Sequence, residues 1–105
     1  MLKIYGVALE MTPEVERLME RIGERNRELC KQLKGSWPSV VLNIAEGSGS
    51  RGGNRRLRYE NALASAREAW STLEYGEAAG YIAPIDHGLR RRFDHVIGVL
   101  VRILF

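Results

Sequence analysis

Apolar residues recur along this chain at spacings of three and four, the period of helices with one buried face. In the first segment Ile4, Ala8, Met11, Val15, Leu18 and Ile22 form a single stripe, from near Ile4 toward Gly23. Pro13 interrupts it. Thr12-Pro13-Glu14 is also a good helix start, an N-cap followed by proline in the first turn and then an acid. Either a helix kinks at Pro13 or a new one begins there. In the second segment Asn26 can cap a stripe of Leu29, Leu33, Ser36, Val40 and Ile44 that runs to about Glu46. Pro38 removes one backbone donor and its ring crowds the carbonyl of Lys34, so a kink is expected. Gly47 then supplies a left-handed stop.

The third stripe is the clearest. Asn54 is its expected N-cap, and Tyr59, Ala62, Leu63, Ala66, Ala69, Trp70, Leu73 and Gly76 repeat with helical spacing to about Ala79. Such a helix spans roughly 37 Å at 1.5 Å per residue. Its small residues Ala62, Ala66, Ala69 and Gly76 let a neighbouring helix pack close. Gly80 ends it. The fourth begins at Asp86, a good N-cap, and carries Leu89, Phe93, Val96, Ile97, Leu100, Ile103 and Leu104. Its end, "VIGVLVRILF", is apolar nearly all round, which argues for burial between subunits. Strand signals are weak, with "SVVLNIA" the one β-branched run. Four amphipathic helices with short connections predict an all-α fold: one domain, 1–105, an up-down-up-down antiparallel four-helix bundle with kinks at Pro13 and Pro38.

Composition changes that picture little. The 105 residues are 45% hydrophobic, enough for one modest core. No apolar run is long enough to span a membrane. The start "MLKIYGVALEM" lacks a basic region followed by an apolar block, so no secretion signal is expected. The lone Cys30 cannot form an internal disulfide and suits a reducing cytoplasm. Flanked by helical sequence, it reads as a structural thiol. Net charge is +3, and all of the excess lies in the second half, from Arg51 onward.

Gly47, Gly49 and Gly52 match G-x-G-x-x-G, the glycine spacing of dinucleotide-binding loops. That fingerprint needs a second strand ending in an acid, and the pattern after Asn54 stays helical. No Lys-Ser/Thr follows Gly53, so a nucleotide P-loop is excluded as well. His87 and His95 lie beside Asp86 and Asp94 on one helix, a pattern that reads as a solvated face rather than a metal site. There is no G-x-S-x-G elbow. Glu46 beside the glycines is a conceivable acid or base without a partner carboxylate; an ion pair with Arg58 is the better expectation. No catalytic residue, metal or cofactor is assigned. Trp37 and Trp70 lie near apolar stripes and read as core or subunit packing.

The basic clusters remain. "RGGNRRLR" holds Arg51, Arg55, Arg56 and Arg58 with no acid among them. Positive charge at a helix N-terminus opposes the helix dipole by a few tenths of a kcal/mol per residue. A phosphate backbone would be drawn both to these arginines and to the helix N–H groups. Arg90, Arg91 and Arg92 form a second cluster, although three consecutive helix residues fan over about 200° and cannot all face one partner. Glu60 and Asp94 are positioned to neutralise part of this charge. Tyr59 and Tyr81 are the rings expected near the clusters, too few for a stacking platform, so backbone-directed contact is the better expectation.

From Gln32 to Ile82 the chain resembles a known family, the four-helix-bundle proteins encoded in intervening sequences of bacterial large-subunit ribosomal RNA genes. The resemblance is carried by Gln32-Leu33, by "NIAEG" at Asn43 to Gly47, and by Arg51. It continues in the "A-x-x-S-A-R-E" register at Ala62 to Glu68, Leu73-Glu74 and "GYI" at Gly80 to Ile82. Relatives include the accessory protein of diversity-generating retroelements. The resemblance implies an up-down bundle, a ring-like homopentamer, and helix rather than strand at "SVVLNIA". It implies structural roles for Asn43, Glu46, Gly47 and Gly49. Through the retroelement relatives it implies a basic surface for nucleic acid and a reverse-transcriptase partner. Lys31 and Lys34 would join that surface. The chain departs from the family pattern at "KGSWPS", Lys34 to Ser39, where relatives are more regularly basic and alanine-rich.

The sequence thus points to a non-enzymatic, homo-oligomeric bundle that binds RNA or DNA backbone through Arg51, Arg55, Arg56, Arg58, Arg90, Arg91, Arg92, Lys31 and Lys34. The alternative is a structural or adaptor bundle with a protein partner and no nucleic-acid role.

Overall fold

The computed structural model describes residues 2–105. Four helices follow one another: α1 Lys3–Arg25, α2 Arg27–Gly49, α3 Gly52–Ala78 and α4 His87–Leu104. Each packs on its sequence neighbour, and α4 closes the ring against α1. The result is an elongated antiparallel bundle of 42 × 25 × 22 Å. No strand occurs among the described residues, so "SVVLNIA" is helix.

The caps explain three of the boundaries. Asn26 is extended, and its Oδ1 accepts from the N–H of Leu29 at 3.0 Å, which starts α2 only one residue after α1 stops. Asp86 accepts in the same way from Leu89. Gly80, at φ +78°, ends α3. The N–H of Tyr81 reaches the carbonyl of Gly76 at 2.8 Å, and that of Gly80 reaches Glu77 at 3.1 Å, the paired bonds of a Schellman turn.

The choice at Pro13 is settled, and two expectations fail at the α2–α3 turn. α1 runs unbroken through Pro13 and does not restart at Thr12. The Thr12 hydroxyl instead donates back to the carbonyl of Ala8 at 2.9 Å and accepts from Trp37 Nε1 at 3.0 Å. That ties α1 to α2 through the core. α2 likewise continues through Pro38, whose ring lies exposed. Gly47 is not a left-handed stop: α2 continues to Gly49, and the positive-φ glycines are Gly52 and Gly80. Asn54 is not the N-cap of α3. Arg51 holds that position, and Gly52 at φ +60° swings the chain into the helix.

The core is one continuous cluster of apolar side chains drawn from all four helices. Phe93 sits between Trp37 and Trp70, at ring-centroid distances of 5.3 and 5.0 Å. Trp37 is fully buried, and burying a side chain of this kind contributes about 1.5–3 kcal/mol. Ala62, Ala66 and Ala69 are buried, and Ser39 Oγ meets Ser65 Oγ at 2.8 Å across the close α2–α3 seam. Gly76 serves a different neighbour, Ile22 of α1, whose Cδ1 would lie 3.0 Å from an added Cβ. In the apolar end of α4, Val96, Leu100 and Leu104 face the core and Ile97, Val99 and Val101 are half-buried. Ile103 and Phe105 stay exposed. The single copy therefore covers most of the segment expected to lie between subunits.

Candidate nucleic-acid interface

The turn between α2 and α3 is two residues, Ser50 and Arg51. Ser50 holds it together: its hydroxyl donates to the carbonyl of Glu46 at 2.7 Å and accepts from Asn54 Nδ2 at 3.1 Å. Gly47 lets α3 approach. A Cβ there would lie 2.5 Å from Cε1 of Tyr59, so the ring packs directly on the α2 backbone. Gly49, the last residue of α2, meets nothing and plays no such part. Asn43 bridges inside α2, its Nδ2 donating to the carbonyl and hydroxyl oxygens of Ser39. These contacts place the four arginines of "RGGNRRLR" around a short, hydrogen-bonded turn.

Their environments differ. Arg51 and Arg55 are exposed and have no carboxylate partner among the described residues. The Arg55 guanidinium lies 5.7 Å from the centre of the Tyr59 ring. Arg56 bonds Glu60 at 2.9 Å and donates to the carbonyl of Leu104 at 3.0 Å, crossing from α3 to the end of α4. Arg58 meets Glu46 at 3.0 Å, the pair expected from the sequence. A cavity of about 300 Å³ opens here, lined by Gly52, Arg55, Arg56, Tyr59, Ile103 and Leu104.

The second cluster lies at the opposite pole of the bundle. Arg90 grips both oxygens of Glu77 at 3.0 and 3.2 Å and lies over the Trp70 ring at 5.3 Å. Arg92 reaches Glu14 at 3.6 Å and the carbonyl of Gly88 at 3.3 Å. Only Arg91 of the three is exposed and unpaired among the described residues. Glu77 also accepts the backbone N–H of Ile85 at 2.6 Å. That bond first, and Arg90 second, hold its carboxyl below the ordinary glutamate value despite partial desolvation. Lys31 and Lys34 are exposed on the first half of α2, lining a groove of about 480 Å³ with Arg27 and Cys30.

The nine basic residues singled out from the sequence therefore do not form one surface. About 22 residues of α3 separate Arg55 from Glu77, roughly 33 Å at 1.5 Å per residue. Tyr59, placed by its spacing in the apolar stripe and by its neighbours near the basic cluster, is buried. Tyr75 is exposed instead, and falls outside the apolar stripes because it lies on the outer face of α3. Among the described residues no cluster of histidine, cysteine and carboxylate side chains could hold a metal ion, and no helix is long and apolar enough to cross a membrane.

The fold has a solved counterpart. A protein of unknown function from the S23 ribosomal protein family of Bacteroides thetaiotaomicron superposes with a TM-score of 0.82 at 20% identity, covering 96% of this chain and 97% of that one. At that identity the likeness concerns the fold. No curated protein matches the chain. The sequence itself matches the model of 23S rRNA-intervening sequence proteins over residues 1–101, and the chain belongs to that family.

Proposed function

We propose that this bundle is a non-enzymatic binder of nucleic-acid backbone, with its principal contact at the α2–α3 turn. One observation carries the reading: Arg51 and Arg55 stand exposed and unpaired at the N-terminus of the longest helix, beside Arg56 and a cavity open to solvent. Cations at that position oppose the helix dipole, and a phosphate would relieve the conflict. The basic character of the chain, with a pI of about 9.4, and the ribosomal-RNA context in the family's description support it. Arg56, Arg58, Arg90 and Arg92 are engaged with acids, so they are lesser contributors. Arg91, Lys31 and Lys34 supply a second set of free charges. Titration of a labelled RNA duplex across a salt series tests the reading. Affinity should fall steeply as salt rises, and affinity indifferent to salt overturns it.

A second reading, a homo-oligomer or adaptor held by protein contacts, is favoured by a separate feature. Leu9 and Leu42 are exposed at 46% and 61% beside an apolar groove that includes Trp37, Pro38 and Val41. Self-association into a pentamer and docking to a reverse transcriptase belong to this reading as its finer forms. Mass measurement in dilute buffer distinguishes a ring from the 11.9 kDa monomer. Co-purification of a polymerase without nucleic acid would favour the adaptor.

A further inference from the structure

The pole away from the α2–α3 turn brings together an arrangement that the order of residues hides. Tyr75, near the end of α3, is 57% exposed. Its ring centroid lies 6.4 Å from that of Tyr81, just past the Schellman turn, with the planes tilted by 51°. Arg25, the last residue of α1, lies 5.6 Å from the Tyr81 ring centre. The first turns of α2 run alongside. On one side of them Leu29, Gln32, Tyr75 and one acid, Glu68, line a groove of about 230 Å³. On the other, Arg27, Lys31 and Lys34 line the groove of about 480 Å³. These three cations have no ion-pair partner among the described residues, and Glu28 is the one acid lining that groove.

An exposed aromatic surface and a row of free cations thus flank the same two turns of one helix, about 10–12 Å across. Single-stranded nucleic acid is read by this pairing: bases stack on the rings while the backbone follows the charges. Inside a duplex the base faces are already stacked on neighbouring pairs, so the rings cannot reach them. We infer that this pole binds single-stranded nucleic acid, stacking a base on the exposed ring of Tyr75, beside Tyr81, and placing the adjoining phosphates along Arg27, Lys31 and Lys34. Gln32, beside Tyr75, offers a donor and an acceptor to a base edge. The inference rests on the nucleic-acid reading above but uses a different pole and a different form of the polymer.

The test compares a short labelled oligouridine with a blunt RNA duplex of equal length, using the full chain. Tyr75→Ala should weaken oligouridine roughly ten-fold and leave the duplex unchanged, since one stacked base is worth about that factor. Tyr75→Phe should keep the wild-type affinity. Lys31→Gln with Lys34→Gln, both at exposed positions, should lower the salt slope for oligouridine by about one unit for each phosphate left without its lysine. Wild-type protein that binds both probes, with Tyr75→Ala or the lysine pair leaving oligouridine unaffected, overturns this inference alone. Wild-type protein that binds neither probe overturns the backbone reading with it. If oligouridine binding survives the loss of Arg51, Arg55, Arg56 and Arg58 while duplex binding does not, both sites stand as separate.

Discussion

The two arginine clusters look alike in sequence and behave differently in the fold. At the α2–α3 turn two of four guanidinium groups, Arg51 and Arg55, are left to solvent. At the other pole two of three are engaged within the bundle: Arg90 with Glu77, Arg92 with Glu14. The difference is one of register. Arg90 lies beside a carboxylate that also accepts the N–H of Ile85, so it helps close the Ala79–Asp86 connection onto α3. Arg51 caps a helix whose first turn holds no acid. A run of like charge is therefore a poor measure of surface potential until its partners are known.

The largest expected effect tests that contrast directly. Replacing Arg51, Arg55, Arg56 and Arg58 with Gln should reduce affinity for duplex RNA on the order of a hundred-fold at low salt, with a shallower salt dependence. Replacing Arg90, Arg91 and Arg92 should cost less than about ten-fold in duplex affinity, since Arg91 alone is free to contact a phosphate. This triple variant should instead lower the melting temperature. Equal losses of affinity would erase the distinction between the poles.

A glycine pair separates support of the turn from helix propensity. Gly47→Ala drives a methyl into the Tyr59 ring and should destabilise by about 1–3 kcal/mol, despite alanine's better propensity. Gly35→Ala, in the same helix, meets nothing within 4 Å and should stabilise by roughly 0.5–1 kcal/mol. Thermal melts of the two variants should therefore move in opposite directions.

The Arg90 pole should also carry an acid dependence that the turn lacks. The pKa of Glu77 is depressed in the folded state, so its contribution is full above the unfolded glutamate value of about 4.3. It is lost as pH falls through the lower folded value. Melts recorded from neutral to acid pH should show this loss, and Glu77→Gln should flatten that part of the profile. The smallest effect belongs to Glu46→Gln. The Glu46–Arg58 pair is surface-exposed on both sides, so breaking it should cost about 0.2–1 kcal/mol. It should also tighten duplex binding slightly by freeing Arg58.

The helices and most of their caps are legible in the chain. Asn26, Asp86 and Gly80 act locally, through bonds to residues no more than a few positions away, so a linear reading can find them. The turn between α2 and α3 defeats such a reading because its geometry answers to a distant residue. Gly47 looks like a helix stop but is a contact surface for Tyr59 of the next helix, and α2 continues past it to Gly49. Arg58 and Glu46 can be paired from sequence because a short turn brings those helix ends together. Tyr75 with Tyr81 and Arg25 cannot, since three separate segments meet there.

Hydrophobic period determined four helices and most of the positions they bury, and short connections their antiparallel order, because those follow from backbone geometry and the removal of apolar surface from water. Which charges are free was decided only by the tertiary structure. Ion pairs and cation–ring contacts form between residues that the fold brings within a few ångströms, and that proximity is a property of packed helices in three dimensions, not of spacing along one.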